Sequence, residues 1–196
     1  MVRVYARTAV VAVGLLSGTA LAGAALAQTA APAGSPASSA QVAPAQHVLS
    51  RADRDFVDNA ARGGLAEIEL SKLANKSVNP DVRRFADKMI TDHTKANAQL
   101  TTIAKTDGLT PPDTLDIEHR RLRDKLANEH DGSFDRDYAH AMVGDHDQAI
   151  RLFQREEQSG GNAQLREFAR NTLPTLQEHR RMAGELASKV GATAAR

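Results

Sequence analysis

The stretch NPDVRRFADKMITDHTKANAQL, residues 79–100, decides the fold. It opens with Asn79 as an N-cap, Pro80 at the first helical position and Asp81 in the first turn, which is a typical start of an α-helix. At 100° per residue its apolar residues share one stripe, with His93 in the middle. A helix with such a stripe must pack against other helices, so the segment predicts one member of a bundle. The stripe consists of Val82, Phe85, Ala86, Met89, Ile90, Ala96, Asn97 and Leu100.

Three more segments have the same periodicity and their own boundary signals. Ser50 and Asp53 form a capping box at the start of helix A, and Ser133 is the predicted cap of helix C. Pro174 lies inside helix D and predicts a kink there. The predicted bounds are 50–76 for helix A, 79–105 for helix B, 133–158 for helix C and 162–190 for helix D, with a short helix at 116–128. The prediction is an all-α, up-down-up-down four-helix bundle with a short extra helix in the B–C crossover.

The composition excludes several kinds of function. The 196 residues include no Cys and no Trp, so disulfides, thiolate metal sites and Cys nucleophiles are excluded. The net charge is only +1, with 2 Tyr and 5 Phe, which argues against a nucleic-acid surface. No nucleophile motif or phosphate-binding loop indicates an enzyme.

The N-terminal region predicts export. Arg3 and Arg7 precede an apolar run from Thr8 to Ala25, and Ala25-Leu26-Ala27 resembles a signal-peptidase site, so 1–27 is the predicted cleaved signal peptide. Residues 28–49 carry no Asp, Glu, Lys or Arg and predict a disordered Ala/Pro/Ser leader. The folded bundle is predicted for 50–190 and a tail for 191–196, with no transmembrane segment after cleavage. The expected location is the periplasm of a bacterial envelope.

Each main helix points one metal-competent side chain into the predicted core. His146 and His179 are centred on the apolar stripes of helices C and D, as His93 is on helix B, and Glu67 occupies the corresponding place on helix A. Buried ionisable groups need partners. One interpretation is therefore a divalent metal, Zn²⁺, Fe²⁺ or Mn²⁺, bound by Glu67, His93, His146 and His179. The other is a hydrogen-bonded polar network that fixes the packing of the helices.

The helix levels argue against including Glu67. Glu67 lies about ten residues before the A–B turn and His93 about sixteen after it, which predicts an offset of roughly 9 Å at 1.5 Å per residue. A site with fewer protein ligands plus water is the alternative.

Acidic residues directly precede five of the histidines. Neighbouring residues on a helix point about 100° apart, so an acid cannot orient the ring that follows it. It is either a charge at the boundary of the helix face or a partner for a histidine on the next helix. The five pairs are Asp92-His93, Glu118-His119, Glu129-His130, Asp145-His146 and Glu178-His179.

These residues resemble domain-of-unknown-function family 4142. The resemblance covers about residues 53–186 and implies an exported bacterial protein, often labelled as an outer membrane protein, with a ferritin-like fold and no established activity. The residues that carry it are Gly63-Gly64-Leu65-Ala66-Glu67, Phe85-Ala86, Asp92-His93-Thr94-Lys95, Phe134-Asp135 and Leu173-Pro174-Thr175-Leu176.

The chain departs from the di-iron ferritins in one respect. Those bundles use Glu-x-x-His on two helices, whereas Ile90, Val143 and Leu176 stand three residues before the inward histidines. A di-iron oxidase is therefore not expected. Two hypotheses lead: a periplasmic metal-binding bundle, and a non-catalytic envelope or stress-associated bundle that binds protein partners. An enzyme is the third and weakest alternative, and the oligomeric state stays open.

Overall fold

The structure is a computed structural model that describes residues 49–194, apart from the side chains of Asp131, Thr193 and Ala194. The predicted signal peptide at 1–27 and all of the predicted leader except Leu49 lie outside this range. Leu49 itself is buried in the core. The elements are α1 (Arg51–Lys72), a 3₁₀ helix (Leu73–Lys76), α2 (Pro80–Thr106), α3 (Ile117–Ala127), α4 (Asp131–Ser159) and α5 (Ala163–Ala194).

Side-chain caps begin two of these helices where the sequence predicts. Ser50 and Asp53 form a reciprocal capping box on α1, and the Asn79 side chain accepts a hydrogen bond from the Asp81 N–H at the start of α2. The predicted Ser133 cap of α4 is wrong. This helix begins at Asp131, and the Ser133 hydroxyl donates to the His130 carbonyl instead. Helix α5 continues through Pro174 and extends four residues beyond the predicted Val190.

Contacts between helix ends fix the directions of the four main helices. Asp53 at the start of α1 accepts hydrogen bonds from the Gly161 and Asn162 N–H groups in the α4–α5 turn. Ser71 near the end of α1 shares a 2.7 Å hydrogen bond with Tyr138 near the start of α4. Helices α1 and α4 are therefore antiparallel, and α2 and α4 run in the same direction.

This direction of α4 corrects the predicted up-down-up-down order. Segment 107–130, which contains α3, carries the chain from the end of α2 back to the level where α2 began, so α4 starts beside the end of α1. Lys76 donates to the Leu126, Ala127 and Glu129 carbonyls, which ties the far end of the crossover to the α1–α2 turn. One long crossover of this kind is a feature of ferritin-like bundles.

The core consists of two apolar clusters with a polar layer between them. One cluster contains Phe85, Met89 and Met142, and the other contains Phe56 and Phe153. The layer between them holds the buried polar side chains Glu67, His93, His146 and His179. Burial of the two clusters stabilises the bundle and holds the polar layer at mid-height.

The outer faces of the helices are polar. Among residues 49–194, Val78 and Ile117 are the large apolar side chains left exposed. No helix within this range combines the length and the apolar character that crossing a membrane requires.

Candidate metal centre

Three histidines from three helices converge inside the bundle. His93 on α2 is 5% exposed, and His146 on α4 and His179 on α5 are fully buried. Their ring centroids lie 5.6 Å (His93–His146), 5.3 Å (His93–His179) and 5.4 Å (His146–His179) apart. One ring nitrogen from each histidine lies within 4.8 Å of the other two. The predicted convergence of these three side chains is therefore observed.

The other nitrogen of each ring has a fixed partner. Nδ1 of His93 lies 2.9 Å from Glu67 Oε2, Nδ1 of His146 lies 2.8 Å from the Met142 carbonyl oxygen, and Nε2 of His179 lies 2.8 Å from Asp92 Oδ2. The remaining nitrogens, His93 Nε2, His146 Nε2 and His179 Nδ1, are buried without a hydrogen-bond partner. Three unpaired buried nitrogens in one place are unusual, because buried polar atoms are normally hydrogen-bonded.

Glu67 lies beside the three converging nitrogens rather than among them. Its carboxylate contacts the Nδ1 atoms of His93, at 2.9 Å, and of His146, at 3.3 Å. The predicted four-residue set therefore divides into three converging histidines and one carboxylate behind two of them.

The expected 9 Å offset between Glu67 and His93 is wrong. The last turn of this part of the chain is a 3₁₀ helix, Leu73–Lys76. Such a helix rises about 2.0 Å per residue, so the descent from Glu67 to Lys76 is about 15 Å, against a climb of about 19 Å from Pro80 to His93. The length of the glutamate side chain spans the remaining difference in height.

The acids that precede the histidines have different roles. Asp92 forms a hydrogen bond with His179 on the neighbouring helix, as predicted for an acid that is the partner of a histidine on the next helix. Glu178 is exposed and pairs with Arg181 at 2.6 Å, as a boundary charge does. Asp145 has an unpartnered Oδ2, and burial, together with the nearby Glu67 carboxylate, raises its pKa to about 6.

The other three histidines of residues 49–194 are peripheral. His119 lies on α3, where its Nδ1 contacts Asp116 Oδ2 at 2.6 Å. His130 and His140 are exposed. Position on an apolar stripe, rather than histidine content, is therefore what identifies the buried centre.

In the centre, Glu67 and His93 each favour the charged form of the other. Burial raises the pKa of Glu67, but His93 and His146 outweigh it and lower the pKa to about 2. Burial lowers the pKa of His93, but Glu67 outweighs it, so this pKa lies above its ordinary value. Burial lowers the pKa of His179 to about 4, so its ring is neutral and its Nδ1 lone pair is free.

The donor set fits a divalent transition metal. Imidazole nitrogens are preferred ligands of Zn²⁺, Fe²⁺ and Cu²⁺. A ligating histidine usually donates its other N–H to a carboxylate or backbone carbonyl, as all three rings here are placed to do. The Met142 carbonyl is the partner that sequence reasoning missed. It lies one helical turn before His146, where no sequence signal distinguishes it from any other i−4 carbonyl.

A cavity of about 380 Å³ opens beside the centre, lined at its inner end by Glu67 and His93. Gly63 and Gly64 of α1 also line it. A Cβ at Gly64 would overlap the Asn97 carboxamide, so this glycine permits close approach of α1 and α2. Helix α1 is a regular α-helix over Arg51–Lys72, so the close approach involves no bulge.

Comparison with known proteins supports the fold and the family. No curated protein sequence matches the chain. The solved structure described as "Crystal structure of DUF305 fragment from Deinococcus radiodurans" has a TM-score of 0.63 and 17% sequence identity, covering 71% of this chain and 98% of that chain. This likeness concerns the fold alone and agrees with the predicted all-α ferritin-like bundle. The family model described as "Domain of unknown function (DUF4142)" matches residues 38–186. The chain is therefore a member of the DUF4142 family.

Proposed function

We propose that this protein binds one divalent transition-metal ion through His93 Nε2, His146 Nε2 and His179 Nδ1. Two observations carry the proposal: one ring nitrogen from each of these histidines lies within 4.8 Å of the other two, and each ring has one buried nitrogen without a hydrogen-bond partner. Three histidines with a fourth position left to water or another ligand are a known arrangement in open zinc sites.

The alternative is a polar core that only fixes packing, in a bundle whose outer faces bind envelope proteins. A packing network gains stability by satisfying its buried groups, and a half-satisfied network is worse than an apolar core. Here one nitrogen of each ring has a partner, whereas the other is buried without one, in three rings whose centroids lie within 5.6 Å of one another. That asymmetry favours metal ligation over packing.

Two carboxylates suit the charge of a divalent ion. Glu67 is 3% exposed and its ion-pair partners are His93 and His146, with no Lys or Arg against it among the described residues. Metal binding requires a neutral His93, whereas Glu67 favours the protonated ring, so the metal and the proton compete for His93. A bound cation would provide the countercharge for Glu67, with Asp92 as a second carboxylate behind His179.

The donor set discriminates among the three metals considered. Mn²⁺ prefers carboxylate and water oxygens, whereas Zn²⁺ and Fe²⁺ accept imidazole. We expect Zn²⁺ or Fe²⁺ rather than Mn²⁺. When bound, such an ion supplies a Lewis-acidic or redox-active centre.

We also propose that the protein acts in the periplasm. Arg3, Arg7 and the apolar run that ends at Ala27 support this location. Mass spectrometry of the protein from an expressing bacterium should give an N-terminus at Gln28. An intact Met1 in an export-competent host would contradict the proposal.

Elemental analysis tests the metal proposal. The chain starting at Gln28, purified without an affinity tag, is expected to carry one equivalent of metal. A His146→Gln variant should carry none, whereas His140→Gln, which changes an exposed histidine of the same helix, should keep the full equivalent. A metal-free wild type that takes up no added Zn²⁺ would instead support the packing network.

A further inference from the structure

The cavity beside the metal centre has a shape that the metal site does not require. It follows α1 from Glu67 to Asn59 and α4 from Asp145 to Arg155. The eight steps along α1 and the ten steps along α4 correspond to a length of about 12 to 15 Å at 1.5 Å per residue. Its volume of about 380 Å³ lies within the range of small-molecule pockets, which starts at about 300 Å³.

Small residues on α1 create this space. Gly63 lines the cavity, and a Cβ built on it meets no atom within 4 Å. A glycine inside a helix costs about 1 kcal/mol relative to alanine. At Gly64 the overlap with Asn97 explains that cost. At Gly63 no neighbouring atom would clash with a side chain, so close packing does not explain the glycine. The absence of a side chain at Gly63 instead leaves the cavity open.

The chemistry changes along the cavity. Its inner end holds two carboxylate oxygens that accept no hydrogen bond, Glu67 Oε1 and Asp145 Oδ2. Apolar side chains, including Phe153 and Phe168, line it as well. Arg151 and Arg155, one helical turn apart and both exposed, line it at its solvent edge.

These two arginines differ from most others in the protein. Arg62 and Arg180, for example, pair with Asp58 and Asp147 at 3.0 Å and 2.8 Å. Within residues 49–194, neither Arg151 nor Arg155 forms an ion pair or a side-chain hydrogen bond. Two adjacent guanidinium groups without a carboxylate are suited to bind an anionic group.

We propose that this cavity binds a small organic acid with an elongated apolar body. Arg151 and Arg155 hold its anionic group at the mouth, because the inner carboxylates would repel it. The apolar body lies against Phe153 and Phe168, and the far end reaches the side of His93. The arginine contact does not need a metal ion, so the binding of the acid is separable from the proposed metal site.

Octanoate is the probe, with octylamine and 1-octanol as ligands of equal chain length. Binding is measured by calorimetry on the full chain from Gln28, metal-free and after addition of Zn²⁺. We expect octanoate to bind one site at least tenfold more tightly than octylamine. The double variant Arg151→Gln/Arg155→Gln should lose about tenfold in octanoate affinity, whereas Arg121→Gln, at an exposed arginine outside the cavity, should lose none.

A Gly63→Leu variant fills the space without touching the mouth. Leucine is a better helix former than glycine, so the variant should fold, with circular dichroism as the check. It should abolish octanoate binding. Octanoate binding unchanged by Gly63→Leu, equal binding of octylamine, or no saturable octanoate binding would each overturn the proposal. Zinc binding in the same samples reports separately on the metal centre.

Discussion

Asp92 Oδ2 lies 2.8 Å from His179 Nε2 and joins α2 to α5 at the level of the histidine centre. The other nitrogen of this ring, Nδ1, is buried without a hydrogen-bond partner. Asp92 also pairs with Lys88 at 2.8 Å, so its carboxylate is held from two sides. A residue that precedes one histidine in the sequence thus orients another histidine on the neighbouring helix.

Replacement of this carboxylate should weaken metal binding without removing it. We expect Asp92→Asn to lower Zn²⁺ affinity by about 10- to 100-fold, the usual cost of losing a carboxylate behind a ligating histidine. Competition with a chelator measures the change. Asp87→Asn, at an exposed acid of the same helix, is the control, and an equal loss in both variants would assign the effect to net charge.

The buried Glu67–His93 pair should govern the pH dependence of the metal-free protein. The pKa of Glu67 is lowered to about 2, so its stabilising contribution is present above about 4.5 and is lost as the pH falls toward 2. The pKa of His93 is raised, so its contribution is complete below about 6.5 and is lost as the pH rises through the folded-state value. Both contributions are present between about pH 4.5 and 6.5.

Glu67→Gln should therefore destabilise the metal-free protein most in that window. The free energy of unfolding is expected to fall by about 3 to 5 kcal/mol, because the substitution leaves a buried partner uncompensated. Urea unfolding at pH 5.5 measures it. Glu69→Gln, which removes a partly exposed pair with Lys72, should cost less than about 1 kcal/mol. Equal losses in the two variants would show that the pair contributes little.

Glu156 should destabilise the protein at alkaline pH. Burial, together with the neighbouring Asp53 carboxylate, raises the pKa of Glu156 to about 7. The folded state therefore binds this proton more tightly than the unfolded state, and stability falls as the pH rises from about 4.5 to above 7. We expect Glu156→Gln to raise the free energy of unfolding at pH 8 by about 2 kcal/mol and to have little effect at pH 4. Glu157→Gln serves as the control, and a Glu156→Gln effect of the same size at both pH values would refute the titration.

The two adjacent glycines of α1 should respond oppositely to alanine. Gly63→Ala adds a methyl group in open space and should stabilise the protein by about 1 kcal/mol through helix propensity. Gly64→Ala places the methyl group on the Asn97 carboxamide and should cost about 1 to 3 kcal/mol. Thermal unfolding distinguishes them. Adding Asn97→Ala to Gly64→Ala should recover most of the loss, and additive effects would argue against the overlap.

Much of the fold and the residues of the site could be predicted from local sequence patterns. Capping residues such as Ser50 and Asn79 act within one turn, so they place the helix starts correctly. The 100° period alone identifies His93, His146 and His179 as inward-facing. These predictions depend on neighbours within a few residues, which the sequence displays directly.

The remainder depends on contacts between distant segments. The direction of α4 follows from where the crossover ends, which its length alone does not determine. Whether Glu67 ligates a metal or supports a histidine depends on the relative heights of Glu67 and His93, which follow from where α2 starts and from the 3₁₀ helix at Leu73–Lys76. Likewise, Asp92 contacts His179 only because α2 packs on α5. None of these distances is encoded in a local pattern.

X-ray absorption at the zinc edge, on protein loaded with one equivalent of Zn²⁺, tests the central claim most directly. The account predicts a first shell at about 2.0 to 2.1 Å in which three imidazole rings supply nitrogen and one further light atom completes the coordination. A shell with fewer than three imidazoles, a shell dominated by carboxylate oxygens, or failure to load one equivalent would contradict it.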